Sequence, residues 1–256
     1  MQLQLIRNAT MILSYAGQRV LTDPYFAARY SGESFAGKSP NPLVGLPVPP
    51  DEIIRGVGLV IVSHLHSDHF DETAQSALPK DLPVLCQPGD EGFIQEVGFK
   101  DVRPVGEAVD WNGIRITRTA GHHGLGEVEA DMDNVSGWVF CAKGEPTIYW
   151  AGDTVLCDEV KHVIRRFKPD VIVTHSSGAV WPITNGEQSL IVMDALQTVE
   201  VCQIAPDSTV VAIHMESLDH GTVGRSDVRA KAAEAGIPLE RLRIPADGET
   251  IELSRN

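Results

Sequence analysis

The stretch Ser63-His64-Leu65-His66-Ser67-Asp68-His69 directly follows an apolar run at residues 58–62. Within six positions it holds three imidazoles and a carboxylate, a density that packing alone does not explain. His64 and His66 can point the same way from a short loop, whereas a turn at Ser67 can direct Asp68 and His69 to the opposite side. A solvated histidine-rich loop is the alternative, but clusters of imidazole and carboxylate are typical of metal sites. The stretch therefore predicts two metal half-sites, each of which needs further ligands.

Candidates for the missing ligands lie at the ends of predicted buried strands. The apolar run at 58–62 predicts a strand that is buried on both faces. His122 follows a predicted strand at 114–119, Asp153 follows one at 147–150, and His214 follows one at 209–213. For each residue alone, an ordinary polar group at a strand end is the alternative, and for a lone histidine that alternative is usually the better explanation. Because active sites of α/β folds gather at the carboxyl ends of strands, the recurrence predicts that all three meet the 63–69 loop.

The rest of the chain predicts a single domain, residues 1–256. Short apolar runs separated by turns predict strands at residues 3–6, 10–15 and 19–22, and strand and helix patterns alternate afterwards. Both halves, roughly 1–135 and 136–256, begin with strands and continue with strand–helix alternation, which predicts two similar layers packed face to face. A long helix is predicted at 187–201. The segment at 26–50, rich in Gly, Ser and Pro, is expected to cover a site.

Charge and composition exclude several classes of protein. The 256 residues carry 21 Lys and Arg against 35 Asp and Glu, and the resulting charge of −14 speaks against a general nucleic-acid binder, which needs a positive surface. No apolar run is long enough to span a membrane, and residues 1–7 lack the pattern of a secretion signal. The four cysteines are far apart and predict reduced core thiols. We therefore expect a cytoplasmic protein without a nucleic-acid partner or a membrane span, either as a monomer or as a homo-oligomer.

Taken together, these residues carry a family resemblance. The order His64-x-His66-x-Asp68-His69, then His122, Asp153 and His214, together with Leu21-Thr22-Asp23-Pro24, resembles the pattern of the metallo-β-lactamase-fold hydrolases over nearly the whole chain. The spacing and the Asn8-Ala9-Thr10 segment are most similar to the compact branch that holds L-ascorbate-6-phosphate lactonase and the phosphatidylethanolamine-releasing phospholipase D. The resemblance implies an α/β (α+β) fold, a four-layer αββα sandwich in which two mixed β-sheets are flanked by helices.

The resemblance also implies the ligands of two divalent metal ions. They are His64, His66 and His122 at the first ion, Asp68, His69 and His214 at the second, and Asp153 between the two. His123 is the alternative to His122, because the two are adjacent and only the Ala-x-His spacing favours His122. Asp23 is expected to orient the histidine-rich loop by a hydrogen bond without touching metal. Imidazole-rich ligation favours zinc over manganese or iron.

The activity that this pattern implies is hydrolysis by a metal-activated hydroxide. Two cations about 3.5–4 Å apart can share one water and lower its pKa. Asp68 is expected to orient that water or take its proton, and Asp153 to bridge the ions. We expect cleavage of an ester-like bond, such as that of a lactone, in a small molecule. A phosphodiesterase and a metal-binding protein without turnover are the alternatives.

Three further histidines are candidate substrate contacts. His175 follows a predicted buried strand, and a structural role is an equal alternative for it. His220 lies in a predicted loop, where simple exposure to solvent is the alternative. His123 is the third candidate, beside its role as the substitute for His122. The bridging Asp153 departs from the antibiotic-cleaving lactamases and His66 departs from the flavodiiron pattern, so neither activity is expected.

Overall fold

The computed structural model describes residues 1–254, and two seven-stranded β-sheets form its centre. The strands of the first sheet are β1 (Gln2–Arg7), β2 (Thr10–Tyr15), β3 (Gln18–Thr22), β4 (Leu59–Ile61), β5 (Val84–Cys86), β6 (Val102–Pro104) and the last strand of the chain, β16 (Thr250–Glu252). β16, β1, β2 and β3 pair antiparallel, and β3 to β6 pair parallel. The first sheet is therefore mixed.

The second sheet is mixed in the same way. Its strands are β7 (Ala108–Trp111), β8 (Ile114–Ala120), β9 (Ser136–Ala142), β10 (Ile148–Trp150), β11 (Val171–His175), β14 (Thr209–Ile213) and β15 (Leu242–Arg243). β7 to β10 pair antiparallel, and β10, β11, β14 and β15 pair parallel. A separate two-stranded hairpin consists of β12 (Val180–Pro182) and β13 (Gln188–Leu190).

Helices cover the outer face of each sheet. The helices are α1 (Pro50–Ile54), α2 (Glu72–Ala77), α3 (Glu91–Glu96), α4 (Asp158–Phe167), α5 (Ala195–Ile204), α6 (Arg225–Glu234) and a 3₁₀ helix at Gly126–Asp131. Buried residues of α1 to α3 pack on the first sheet, and those of α4 to α6 pack on the second. This confirms the four-layer αββα sandwich. Among residues 1–254, no helix combines the length and the apolar character that crossing a membrane requires.

The central strands are apolar on both faces because each face meets a different core. In β4, Leu59 and Ile61 lie in the core between the sheets, whereas Val60 lies in the core beneath the helices. β14 follows the same alternation, with Val211 between the sheets and Val210 under the helices. Each such buried side chain contributes about 1.5–3 kcal/mol relative to an exposed one. The strands that carry the site are thus fixed from both sides.

The structure departs from the sequence prediction in two places. The helix predicted at 187–201 is present but begins later than predicted, since residues 188–190 form β13 and α5 spans Ala195–Ile204. Asp194 sets this start by accepting a hydrogen bond from the Gln197 amide at 2.8 Å, as an N-cap residue does. The two sheets also divide between β6 and β7 and not near residue 135, and β16 returns to the first sheet.

Candidate metal centre

The carboxyl ends of four strands of the second sheet lie at one edge. β8 and β10 are both antiparallel to β9 and therefore point the same way, and β10, β11 and β14 are parallel. His123, Asp153 and His214 follow β8, β10 and β14, and His175 ends β11. The loop after β4, which holds residues 63–69, meets them from the first sheet. Parallel strand direction thus brings distant residues of the chain together.

Two adjacent groups of potential metal ligands form at this edge. One holds His64, His66 and His123, and the other holds Asp68, His69, Asp153 and His214. In each group the nitrogen and oxygen atoms that can bind metal all lie within 4.8 Å of one another. Six of the seven ligands expected from the sequence lie in these groups, and His123 stands where His122 was expected.

The second group converges on a single point. His69 Nε2 lies 3.2 Å from Asp68 Oδ2 and 3.1 Å from Asp153 Oδ2. His214 Nε2 lies 3.3 Å from the same Asp68 oxygen and 3.3 Å from His69 Nε2. Two imidazole nitrogens and two carboxylate oxygens thus point towards one another. This donor set fits a divalent transition metal ion.

The charges of the second group favour a cation at this point. Burial by itself would raise the pKa of Asp68 and of Asp153, but His69 and His214 lower both pKa values well below the usual range. The two buried carboxylates are therefore ionised. Burial by itself would lower the pKa of His69, but Asp68, Asp153 and Asp23 raise that pKa well above its usual value. The carboxylates stabilise positive charge between them, as a bound metal ion would supply.

The first group presents neutral imidazoles. Burial, together with the neighbouring His69 and His66, lowers the pKa of His64 well below its usual value. Burial also lowers the pKa of His123 to about 4. Neutral imidazole is the form that binds metal. His64 Nε2 is buried and has no hydrogen-bond partner among residues 1–254, and a metal ion would satisfy it.

Asp153 lies between the two groups. One of its carboxylate oxygens, Oδ2, is 3.1 Å from Nε2 of His69 in the second group. The same oxygen is 3.9 Å from Nε2 of His123 in the first group. The other oxygen, Oδ1, accepts a hydrogen bond from His175 Nδ1. One carboxylate oxygen therefore faces both groups, while the other holds the carboxylate in place.

Asp23 holds the 63–69 loop from below. Its carboxylate accepts hydrogen bonds from the Ser63 amide at 2.8 Å, the Ser63 hydroxyl at 2.7 Å and His69 Nδ1 at 2.7 Å. Ser63 Oγ in turn lies 2.9 Å from His64 Nδ1. With Nδ1 occupied on both histidines, each ring turns Nε2 towards the cluster. Outer hydrogen bonds of this kind fix the orientation of metal-binding histidines.

Asn8 is a supporting residue that the sequence reasoning missed. Its side-chain NH2 group donates to the backbone carbonyl and to the carboxylate of Asp68, both at 3.1 Å, and its backbone carbonyl accepts from the backbone amide of His214 at 3.1 Å. Asn8 has φ of 57° in the turn between β1 and β2. Asparagine tolerates this left-handed conformation better than most residues, and that was the available signal. His214 also has a positive φ, 67°, at the functional edge.

His122 lies outside both groups, contrary to its expected place at the first one. Its amide donates to Thr154 Oγ1 at 2.9 Å, and its ring turns outwards to Glu129 and Glu159. His123 instead turns inwards, with Nδ1 donating to the Ile191 carbonyl at 2.9 Å. Adjacent residues leaving a strand direct their side chains to opposite sides, so only one of the two histidines can face the cluster.

The other two candidate substrate contacts differ from each other. His175 is fully buried beneath the cluster, forms a hydrogen bond with Asp153 and is not among the residues that line the cavity. Its contact with substrate stays a prediction, and this placement favours the structural alternative. His220 lines the cavity above the cluster and packs edge-on against Phe35, with ring centroids 5.1 Å apart.

A small cavity opens above the two groups. Its volume is about 170 Å³, below the range of about 300–1,000 Å³ that is usual for ligand sites. Phe35, Met132, Trp181 and Ile191 form apolar walls, and Asp68 and Asp153 lie among its lining residues. Phe35 comes from the 26–50 segment, which therefore does border the site. Among the described residues that line the cavity, none is Lys or Arg.

Asp219 fastens the part of the 26–50 segment that carries Phe35. Its carboxylate accepts hydrogen bonds from the side chains of Ser34 and Asn41 and from the backbone amides of Phe35, Ala36, Lys38 and Ser39. Burial by itself would raise the pKa of Asp219, but these hydrogen bonds lower it well below its usual value. An ionised carboxylate thus holds one wall of the cavity.

Comparison with known proteins places the chain in a family. Residues 18–215 match the family model described as a β-lactamase superfamily domain. The chain belongs to this superfamily. The UPF0173 protein YddR of Bacillus subtilis (strain 168) is 34% identical over 98% of this chain and 99% of that protein. The UPF0173 metal-dependent hydrolase MJ1163 of Methanocaldococcus jannaschii is 27% identical over 84% of this chain and 90% of that protein.

Two solved structures resemble this superfamily member over its whole length. A possible metal-dependent hydrolase from Veillonella parvula DSM 2008 is 34% identical, with a TM-score of 0.93 over 99% of both chains. An isothiocyanate hydrolase from Delia radicum gut bacteria is 37% identical, with a TM-score of 0.91 over 100% of both chains. The protein is a metal-dependent hydrolase of the metallo-β-lactamase fold, as the sequence resemblance predicted.

Proposed function

We propose that this hydrolase cleaves a small uncharged electrophile, and that the isothiocyanate group, R–N=C=S, is its first candidate substrate. The observation that carries the proposal is the cavity, which is small, has aromatic and aliphatic walls and has no Lys or Arg among its described lining residues. The similarity to the isothiocyanate hydrolase from Delia radicum gut bacteria, at 37% identity, supports the choice of this group. A linear neutral group suits such a space.

A neutral lactone is the second candidate, because it too is small, uncharged and open to attack at one carbon. A phosphodiester is a weaker candidate. Its negative charge calls for Arg or Lys, and the described cavity wall instead carries the acidic Asp131. The phosphodiesterase alternative therefore ranks below both uncharged substrates.

We assign the ligands to two metal ions, most simply zinc. His64, His66 and His123 would hold one ion, Asp68, His69 and His214 the other, with Asp153 between them. Cations in such a donor set supply water acidified towards neutral pH and polarise the electrophile. The number and identity of the ions, the cytoplasmic location and the oligomeric state stay predictions.

The proposed reaction is R–N=C=S + H₂O → R–NH₂ + COS. The water oxygen bonds to the central carbon, the bond between that carbon and nitrogen breaks, and both water protons end on the amine nitrogen. The Asp68 carboxylate, which lines the cavity, would take a proton from the attacking water. His220, whose buried Nδ1 has no partner among the described residues, would orient the substrate nitrogen by a hydrogen bond. Phe35 and Trp181 would exclude bulk water.

A substrate panel tests the proposal. Zinc-loaded full-length protein would be assayed in thiol-free buffer with benzyl isothiocyanate, a γ-lactone and bis-p-nitrophenyl phosphate, with Asp153→Asn as the inactive control. We expect kcat/KM to be highest for the isothiocyanate, with benzylamine and carbonyl sulfide released in equal amounts, and lowest for the phosphodiester.

The other outcomes of the panel are equally clear. Turnover of the lactone alone would replace the first candidate by the second. Turnover of the phosphodiester alone would contradict the assignment of an uncharged substrate. Stoichiometric metal binding with no turnover of any compound would favour the metal-binding protein without catalysis.

Replacing Asp219 by asparagine is expected to loosen the Phe35 wall of the cavity. The amide keeps only one acceptor oxygen, and its NH2 group must face a backbone donor in either orientation, Phe35 N–H at one position or Ala36 N–H at the other. We expect a loss of about 1–3 kcal/mol in unfolding free energy and a KM that rises more than kcat falls. Urea unfolding and steady-state kinetics measure these effects, and the exposed Asp81→Asn is the matched control.

The difference in unfolding free energy between wild type and Asp219→Asn should depend on pH in a definite direction. Because the folded state lowers the pKa of Asp219, its stabilising contribution is complete above the unfolded carboxyl pKa of about 3.9. The contribution is lost as the pH falls further, towards the folded pKa. The difference between wild type and Asp219→Asn should therefore be constant near neutral pH and shrink below about pH 4. A difference that grows on acidification would contradict this role of Asp219.

A further inference from the structure

A third group of potential metal ligands lies outside the cavity. It consists of His122, Cys157 and Glu159, whose ligand atoms all lie within 4.8 Å of one another. His122 Nε2 is 3.3 Å from Glu159 Oε2, and none of the three residues lines the cavity. His122 and Glu159 have side chains that are 30% and 45% exposed, so an ion can reach the group from solvent.

The orientation of His122 matches that of a metal ligand. Its Nδ1 is hydrogen-bonded to Glu129, and its backbone amide is fixed by Thr154. When the ring carries its proton on Nδ1, the Nε2 lone pair faces the Glu159 carboxylate oxygen 3.3 Å away, and a metal ion between the two atoms would be bound by both. Histidines that bind metal commonly donate their second ring N–H to a carboxylate, the place that Glu129 takes here.

Cys157 gives the group its chemical character. The thiol is free and only 7% exposed, at the residue that precedes α4. Its Sγ lies 3.8 Å from Thr154 Oγ1 and within 4.8 Å of the ligand atoms of His122 and Glu159. Thiolate, imidazole and carboxylate are together a zinc donor set. The two groups beneath the cavity contain only His and Asp. A sulfur ligand therefore distinguishes this group from the central ones.

We propose that His122, Cys157 and Glu159 form a separate zinc site, in which Glu129 orients His122. An ion bound there would tie α4 to the 3₁₀ helix at Gly126–Asp131, which carries Glu129. Asp131 and the following Met132 line the cavity, and His122 is the chain neighbour of His123. The site thus stabilises one wall of the cavity from outside, and it does not depend on the substrate proposed above.

Cobalt binding tests this site directly. The full chain would be freed of metal with a chelator and titrated with Co²⁺, because a cobalt–thiolate bond gives a charge-transfer absorption that histidine and carboxylate ligands do not. We expect this band in the wild type and in Cys141→Ser, the matched cysteine control, and its loss in Cys157→Ser. Zinc-loaded Cys157→Ser should hold one ion fewer per chain than zinc-loaded Cys141→Ser.

A second variant keeps the test decisive if Cys157→Ser folds poorly. Glu129→Gln retains all three ligands. It should lower the affinity for the cobalt ion that gives the thiolate band by about 10–100-fold and leave the other absorption bands of bound cobalt unchanged. Cobalt bands without any thiolate component in the wild type would overturn the proposal. His122 would then be an imidazolium held between Glu129 and Glu159.

Discussion

Replacement of Asp153 by alanine is expected to reduce hydrolysis by at least about 10²–10³-fold, the effect of losing one electrostatic element of an active site. Asp153 Oδ2 lies 3.1 Å from His69 Nε2 and 3.9 Å from His123 Nε2, so both groups lose a neighbouring oxygen together. His175 also loses the acceptor that fixes its ring. The metal content should fall by one ion or more per chain.

Activity and elemental analysis, measured on the same preparations, check this prediction. Asp153→Asn keeps the size of the side chain but removes its charge, and it should resemble the alanine variant. The exposed Asp81→Ala should resemble the wild type. Full activity with an unchanged metal content in Asp153→Ala would show that this carboxylate does not connect the two groups.

The sequence predicts well which strand ends carry the site, because a buried strand followed by a polar residue is a clear pattern. The apolar run before Ser63 is apolar on both faces, which predicts an interior strand of a covered sheet. The structure places it as β4, inside the first sheet, with the following loop at the functional edge. Asp153 and His214 follow strands of the same kind, and strand direction alone places them opposite the loop. Asp23 was expected at the loop from the family resemblance, and the parallel pairing of β3 with β4 is what brings it there.

The direction of single side chains beyond a strand end is harder to predict. His122 and His123 both follow β8, and the Ala-x-His spacing favoured His122, whose ring in fact turns outwards. The choice depends on distant partners, Ile191 for His123 and Glu159 for His122. The same limit applies to the cavity wall, because Ile191 and Trp181 come from the segment around β12 and β13, part of which was expected to be helical.

Replacement of His123 by alanine is expected to lower activity by at least about 10²-fold, whereas His122→Ala should lower it at least tenfold less. His123 is 4% exposed beneath the cavity and faces His64 and His66, with ring centroids 5.6 and 5.2 Å away. The ring of His122 instead points to solvent-exposed carboxylates. The two variants remove the same side chain from neighbouring positions, so each is the matched control of the other.

The metal count alone does not separate these variants, since each histidine is assigned to an ion. The cobalt–thiolate band does separate them, because Cys157 lies only in the group of His122. His123→Ala should keep the band and lose activity, and His122→Ala should lose the band and keep most of its activity. Because the two effects depend on different ions, they should occur independently. The reverse pattern, in which His122→Ala is the inactive variant, would return the central ligand to the position that the sequence spacing favours.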